Sequence, residues 1–205
     1  SKVLNFKKNG LTIKWTENIY SYKKLIPTLQ EYPKNTIVTA DDDIFYDKDW
    51  LKGLLEESEK YPHCIICHRG HIVKLTKEGL APYKKWKKKA QCKAPSFFNL
   101  STGAGGVLYP PNSLYRDVLD KNLFTKLAPK ADDIYFWAMA ILQNTPTMIV
   151  KEGTKELTYV NPERERGLTD ETTLFSTNKQ GGNDRQLSNI LNHYPQILDF
   201  LKAHK

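Results

Sequence analysis

Short apolar runs alternate along this chain with stretches whose apolar residues recur at helical spacing. Residues 36–40 form a compact apolar run of the kind that is buried as a parallel strand. Residues 47–61 repeat apolar positions on one side of an amphipathic helix. Further strands are predicted at residues 10–15, 63–68, 107–109 and 148–150, and further helices at residues 21–31, 112–119, 131–142 and 186–201. This alternation predicts an α/β fold with a mixed sheet.

Length and composition are those of one globular domain. The chain has 205 residues, of which 40% are hydrophobic and 26% are charged, so it can bury a sizeable core and is not disordered. No internal repeat divides it, and residues 1–205 are predicted to form a single domain. The net charge of +8 favours anionic partners such as phosphorylated substrates, nucleic acid or an acidic membrane surface.

The cysteines and the lengths of the apolar runs bear on the cellular setting. The three cysteines, Cys64, Cys67 and Cys92, are too few, and odd in number, for a disulfide framework. No apolar run approaches the ~20 residues that span a bilayer, and the first residues have no signal-peptide core. A cytoplasmic setting is therefore expected.

A lysine-rich segment at residues 84–93 surrounds Trp86. Its six lysines are Lys84, Lys85, Lys87, Lys88, Lys89 and Lys93. Basic residues around an aromatic ring suit the anionic inner face of a membrane, where lipid-linked acceptors lie, and they also suit single-stranded nucleic acid. A solvated basic loop is the plain alternative. We expect peripheral membrane contact through this segment and no nucleic acid.

Asp41, Asp42 and Asp43 directly follow the apolar run at residues 36–40. Ligands of open α/β folds bind beyond the carboxyl ends of the strands, and adjacent carboxylates repel one another unless a cation neutralises them. Mg²⁺ prefers oxygen ligands and bridges them to substrate phosphates. The cluster predicts a metal-assisted phosphate site, and a solvated loop that caps the next helix is the alternative.

A glycine-containing segment precedes the predicted strand at residues 107–109. Its members are Thr102, Gly103, Gly105 and Gly106. Glycines allow backbone to approach a ligand closely, although a tight turn before the strand would also explain them. Arg69 follows another predicted strand, where a guanidinium can hold phosphate with two parallel hydrogen bonds.

Two further groups of residues lie at predicted helix starts. The pair Asp132-Asp133 is either an N-cap, favoured by the helix dipole, or the place of a general base. Asn183 and Asp184 precede the last predicted helix. They either cap that helix or belong, with Asn178, to a segment that closes over substrate phosphates.

The order of these motifs resembles that of the GT-A glycosyltransferases. The stretches at residues 22–27 and 39–43 look like those of bacterial family 2-like enzymes of surface-polysaccharide synthesis. The resemblance implies a GT-A-like three-layer α/β/α sandwich with a mixed, mostly parallel sheet. It implies metal-dependent, inverting hexosyl transfer from a nucleotide-diphosphate sugar. The acceptor would be a hydroxyl of a glycan or lipid-linked molecule in cell-surface polysaccharide or lipopolysaccharide synthesis.

The resemblance also assigns roles to residues. It implies that Asp43 binds the Mn²⁺ or Mg²⁺ ion that holds the donor diphosphate, and that Asp41 contacts the ribose or the metal. It implies that Asp133 is the base that takes the proton of the acceptor hydroxyl, with Asp132 as its neighbour. The remaining substrate-binding residues implied are Asp42, Arg69, Thr102, Gly103, Gly105, Gly106, Asn183 and Asp184.

The position of the Asp-x-Asp motif departs from the GT-A pattern. In those enzymes a strand–helix–strand unit that binds the nucleotide base lies upstream, whereas here the motif starts at Asp41. The chain is therefore expected to be an N-terminally truncated piece that lacks this unit. Two other classes remain open. Mg²⁺-dependent phosphatases like the haloacid dehalogenases also use Asp-x-Asp at a strand end, and a non-catalytic nucleic-acid-binding module would use the lysine-rich segment.

Overall fold

The computed structural model describes residues 2–92, 94–151, 153, 156–161, 163 and 181–205. Its strands are β1 (Ile37–Thr39), β2 (Ile44–Phe45), β3 (Ile65–Cys67), β4 (Gly70–Ile72), β5 (Asn99–Ser101), β6 (Val107–Tyr109), β7 (Thr147–Ile149) and β8 (Thr158–Tyr159). Its α-helices are α1 (Ile26–Glu31), α2 (Trp50–Lys60), α3 (Lys121–Leu127), α4 (Asp132–Leu142), α5 (Asn183–His193) and α6 (Gln196–Ala203).

The central sheet has four strands in the order β1-β6-β3-β7. β6 pairs antiparallel with both β1 and β3, whereas β3 and β7 pair parallel. β1, β3 and β7 therefore run in one direction and β6 runs against them, so one of the three neighbouring pairs is parallel. The predicted α/β fold with a mixed sheet is confirmed, but the expectation of a mostly parallel sheet is wrong, because two of the three neighbouring pairs are antiparallel. β2 with β8, and β4 with β5, form two separate antiparallel pairs.

Helices pack on both faces of the central sheet. Successive strand residues point to opposite faces. On one face Ile66, Leu108 and Met148 form an apolar cluster with Leu54 of α2. The alternate strand residues belong to the main core, which also contains α4: they are Ile65, Cys67, Val107, Tyr109 and Ile149. This alternation explains why the strands appear in the sequence as continuous apolar runs.

α4 is the central helix of the main core. Its residues 134–141 are all buried, so it is apolar all round, as expected of a helix enclosed by other elements. Tyr22 packs beside it, with ring contacts to Tyr135 and Phe136. Burial of the rest of the helix fixes where its first residues, Asp132 and Asp133, can lie.

Four local predictions are wrong. Residues 11–19 form no strand, and the exposed Leu11 and Ile13 show that the segment lacks the partner that a strand needs. Residues 21–31 split into a 3-10 helix (Tyr20–Lys24) and α1, and residues 112–119 contain only a 3-10 helix (Arg116–Leu119). The helix predicted at residues 186–201 is broken into α5 and α6 at Pro195, because proline lacks the N–H that the helix interior needs. Within the described part of the chain, no helix has both the length and the apolar character that crossing a bilayer requires.

Candidate functional site

Most of the predicted site residues meet at one edge of the central sheet. β1, β3 and β7 all end at this edge, and β6 begins there because it runs in the opposite direction. Asp41 therefore follows β1, Arg69 follows β3, and the segment from Thr102 to Gly106 precedes β6. The topology brings together residues that lie far apart in the sequence.

Asp41 forms an ion pair with Lys24 at this edge. Lys24 Nζ lies 2.6 Å from Asp41 Oδ1. Burial opposes the charge of Lys24, but the carboxylates of Asp41, Asp132 and Asp133 outweigh it and raise the lysine pKa. Lys24 is therefore a cation at neutral pH and neutralises part of the negative charge of the site.

Asp133 is held beside the same lysine by the glycine-containing segment. The Gly103 N–H donates to Asp133 Oδ1 at 2.9 Å. A Cβ atom on Gly103 would lie 3.3 Å from Asp133 Oδ1 and 3.5 Å from Lys24 Nζ, so both side chains lie against one glycine. A larger residue at this position would crowd the lysine and the carboxylate.

Asp132 and Asp133 form an adjacent carboxyl pair at the first turn of α4. Loss of hydration, followed by the charge of Asp133, raises the pKa of Asp132 above its ordinary value. Loss of hydration also raises the pKa of Asp133, but Lys24, the Gly103 N–H and Arg69 oppose that increase. Lys24 and the Gly103 N–H therefore favour the carboxylate form of Asp133.

Arg69 is fixed against Thr102 by hydrogen bonds of its side chain and its backbone. Its Nη1 donates to Thr102 Oγ1 at 2.9 Å, and the Thr102 N–H donates to the Arg69 carbonyl oxygen at 2.9 Å. Gly105 passes so closely that a Cβ atom there would lie 2.5 Å from Arg69 Cβ. Arg69 Nε is buried and has no hydrogen-bond partner among the described residues, so its N–H is an unsatisfied buried donor.

Gly106 is required where the segment enters β6. Its φ is +91°, and a Cβ atom there would lie 2.3 Å from the Trp50 ring. Trp50 Nε1 donates to the Gly105 carbonyl oxygen at 2.9 Å. Tyr46 makes a second link: it accepts from the Asp41 N–H at 2.8 Å and donates to the Ala104 carbonyl oxygen at 3.1 Å. These aromatic residues connect the aspartate loop (residues 41–43) to the glycine-containing segment.

A cavity of about 500 Å³ opens over the aspartate loop. Its lining residues are Asn18, Tyr20, Ser21, Lys23, Lys24, Ala40, Asp41 and Asp42. Asp42 is exposed at its rim, and Asp43 is half-buried, with its carbonyl oxygen accepting from the Val160 N–H at 2.9 Å. The cavity combines two lysines with two carboxylates and an exposed aromatic ring, which is a mixture suited to a polar, partly anionic ligand.

Asn183 and Asp184 lie at the start of α5, where Asp184 binds the backbone immediately before the lysine-rich segment. Asp184 Oδ1 accepts from the Tyr83 N–H at 2.6 Å. Lys88 Nζ lies 3.0 Å from the centre of the Tyr83 ring. Loss of hydration there lowers the pKa of Lys88 to about 8; the positive charge of Arg69 adds to this decrease, and the negative charge of Asp184 opposes it. Asn183 is buried. Asn178, predicted with them, lies outside the described residues, as does Lys93 of the lysine-rich segment.

Asp41, one of the two aspartates predicted to bind a metal ion, is paired with a lysine of the chain. Lys24 already neutralises Asp41, and the described residues contain no group of three or more His, Cys, Asp or Glu side chains that could hold a metal ion. The assignment of Mn²⁺ or Mg²⁺ to Asp43 and Asp41 stays a prediction. The side chains of the site can themselves supply a carboxylate base and cationic donors for phosphate.

Lys24, Tyr46 and Trp50 are the site residues that sequence reasoning missed. Lys24 is one of many lysines, and nothing local marks it as the partner of Asp41. Tyr46 and Trp50 follow the aspartate cluster closely in the sequence. That closeness was the one sequence signal that could have indicated their place in the site. No protein-family model matches the chain, and neither a curated protein nor a solved structure gives a significant match.

Proposed function

We propose that this chain transfers a sugar from a nucleotide-diphosphate sugar to an acceptor hydroxyl, with inversion at the anomeric carbon. The observation that carries the proposal is the half-buried Asp132-Asp133 pair, held against Gly103 and Lys24 at the edge where β1 and β3 end. A carboxylate with a raised pKa in such a place is suited to general-base catalysis.

Asp133 is the base in this proposal. Its Oδ1 is oriented by the Gly103 N–H, and the adjacent Lys24 favours its carboxylate form, which is the form that accepts a proton. The acceptor O–H gives its proton to Asp133 as the acceptor oxygen bonds to the anomeric carbon. The bond from that carbon to the diphosphate oxygen breaks, and the nucleoside diphosphate leaves with the electron pair.

Positive charge at the same edge supports loss of the diphosphate. The Arg69 guanidinium lies at this edge and can donate to a phosphate oxygen. Lys23 and Lys24 line the adjacent cavity of about 500 Å³, together with Asp41 and Asp42, whose carboxylates can accept from sugar or ribose hydroxyls. Fixed donors aimed at a developing negative charge are a large source of rate enhancement.

The GT-A-like three-layer sandwich is part of the proposal. Three strands in one direction with one reversed strand, helices on both faces, and carboxylates at the strand ends support it. We further propose that the acceptor is a glycan or lipid-linked molecule of cell-surface polysaccharide synthesis. The basic segment at residues 84–92 supports an acceptor carried at an anionic membrane surface.

Donor turnover tests the proposal directly. The purified chain is incubated with uridine, guanosine and thymidine diphosphate sugars, with Mn²⁺, with Mg²⁺ and with a chelator, and the released nucleoside diphosphate is measured. We expect release from one donor class and its loss in Asp133→Asn, with donor affinity retained. Asp199→Asn, which changes an exposed aspartate of α6, is the matched control.

Two results would count against glycosyl transfer. Release of inorganic phosphate from simple phosphomonoesters would favour the phosphatase class. Full transfer activity in Asp133→Asn would remove the base assignment. The comparison of metal with chelator decides whether the predicted Mn²⁺ or Mg²⁺ is needed.

A further inference from the structure

An open groove of about 740 Å³ lies beside β4 and β5, and it is lined by residues other than those of the aspartate loop. Ile72, Val73, Leu75 and Phe98 contribute apolar side chains to it. Lys74, Lys85 and Lys87 also line it, and all three are exposed. Among the described residues, no aspartate or glutamate side chain lines this groove.

The basic rim of the groove is held in place by backbone hydrogen bonds. The Lys87 and Ile72 backbones exchange two hydrogen bonds, of 2.8 and 3.1 Å. The Ala81 N–H donates to the Lys74 carbonyl oxygen at 2.8 Å, and Lys85 lies in a 3-10 helix (Tyr83–Lys85). The lysines are therefore attached to ordered backbone around an apolar floor.

We propose that this groove binds an amphiphilic anion, namely an alkyl chain that ends in a phosphate group. The apolar floor gains free energy by covering a chain, and the lysines pair with the phosphate. Inorganic phosphate would leave the floor uncovered. Single-stranded nucleic acid needs exposed aromatic rings for stacking, whereas three of the four apolar residues here are aliphatic. This proposal does not depend on the proposed transferase activity.

Cys92 supplies a reporter within the groove. It lines the groove and is half-buried, and its Sγ donates to Asn99 Oδ1 at 3.1 Å. The other two thiols, Cys64 and Cys67, are buried. A ligand in the groove therefore covers the most accessible thiol of the chain, and alkylation of Cys92 measures occupancy at this place alone.

The test measures the rate at which N-ethylmaleimide alkylates Cys92, followed by peptide mass. The probe is dodecyl phosphate below its critical micelle concentration. At a concentration of ten times its Kd, we expect alkylation to slow by roughly tenfold, and the protection to weaken as salt is added. Dodecanol, dodecyltrimethylammonium and inorganic phosphate should each protect far less.

Variants separate a built site from adsorption of detergent. Lys74→Glu with Lys87→Glu should remove most of the protection, whereas Lys34→Glu, at an exposed lysine outside the groove, should retain it. Circular dichroism checks that both variants fold. Equal protection by the cationic detergent, unchanged protection in the double variant, equal protection by inorganic phosphate, or no protection at all would each overturn the proposal.

Discussion

Lys24 Nζ lies 2.6 Å from Asp41 Oδ1, so a lysine of the chain is paired with one of the two aspartates predicted to bind a metal ion. The pair links the 3-10 helix (Tyr20–Lys24) to the loop after β1. Lys24 also opposes the rise that burial causes in the pKa of both Asp132 and Asp133. One side chain therefore sets the charge of the aspartate loop and of the proposed base together.

Removal of the Lys24 charge should change the pH dependence of transfer. In Lys24→Met the pKa of Asp133 rises, because the lysine no longer favours the carboxylate. A base must be deprotonated to act, so the acid limb of the rate profile should move to higher pH. The measurement is the pH profile of nucleoside diphosphate release.

Lys24→Arg is the matched control, because it keeps the positive charge. Its acid limb should lie close to that of the unmodified chain. An acid limb that does not move in Lys24→Met would show that Lys24 does not act on the base.

Asp132→Asn should lower activity and raise stability. Burial raises the pKa of Asp132 in the folded state above its value in the unfolded chain. At a pH between these two values, Asp132 holds its proton in the folded state and has lost it in the unfolded state. Stability is therefore lost as pH rises through that window. The asparagine removes this penalty, and we expect a gain on the order of 1 kcal/mol at neutral pH, after allowance for solvent screening.

Thermal unfolding between pH 4 and pH 8 measures this gain. The difference between Asp132→Asn and the unmodified chain should grow with pH and be smallest at the acid end. Asp199→Asn should show no such growth, since Asp199 is exposed. A variant that is less stable at all pH values would show that Asp132 serves the fold.

Gly106→Ala should destabilise the chain strongly. Its φ of +91° is unfavourable for alanine, and the new Cβ atom would lie 2.3 Å from the Trp50 ring. Backbone strain costs about 1–2 kcal/mol, and the overlap with Trp50 should add about 1–3 kcal/mol. Urea denaturation gives the free energy of unfolding.

Gly79→Ala separates the two contributions. Gly79 also has a positive φ, of +133°, but no atom lies within 4 Å of the position that a Cβ atom would take there. It should therefore show the backbone cost alone. If both variants lose the same free energy, contact with Trp50 contributes nothing.

Tyr46→Phe should impair transfer more than it impairs folding. The hydroxyl joins the Asp41 N–H to the Ala104 carbonyl oxygen, and loss of the two hydrogen bonds costs about 1–3 kcal/mol of stability. The aspartate loop is then no longer tied to the glycine-containing segment, so the maximal rate should fall. Tyr61→Phe, at the end of α2, is the control, and equal loss of rate in both variants would contradict a positioning role for Tyr46.

Local patterns of apolar residues determined much of the secondary structure. The run at residues 36–40 became β1, residues 107–109 became β6, and the apolar stretch after Asp132 became α4. These elements are buried by their own composition, so the sequence alone marks them. Pro195 was also visible in the sequence, and its effect on the last helix follows from its missing N–H.

The strand predicted at residues 10–15 shows where local pattern is insufficient. A strand exists only when a neighbour supplies hydrogen bonds, and no part of residues 11–19 pairs in this way. The carboxylate clusters were likewise visible in the sequence, as was their position at a strand end or a helix start. The sequence did not show which charged and hydrogen-bonding groups surround these carboxylates.

The sequence by itself determined the α/β class, the main buried elements and the aspartates worth testing. Only the tertiary structure decided that Lys24 pairs with Asp41, that Gly103 holds Asp133, and that Asp184 binds Tyr83 rather than a residue near it in the chain. Local periodicity records which residues are buried. The charge and the pKa of a carboxylate depend instead on the groups within a few ångströms of it, and the order and direction of the strands determine those groups.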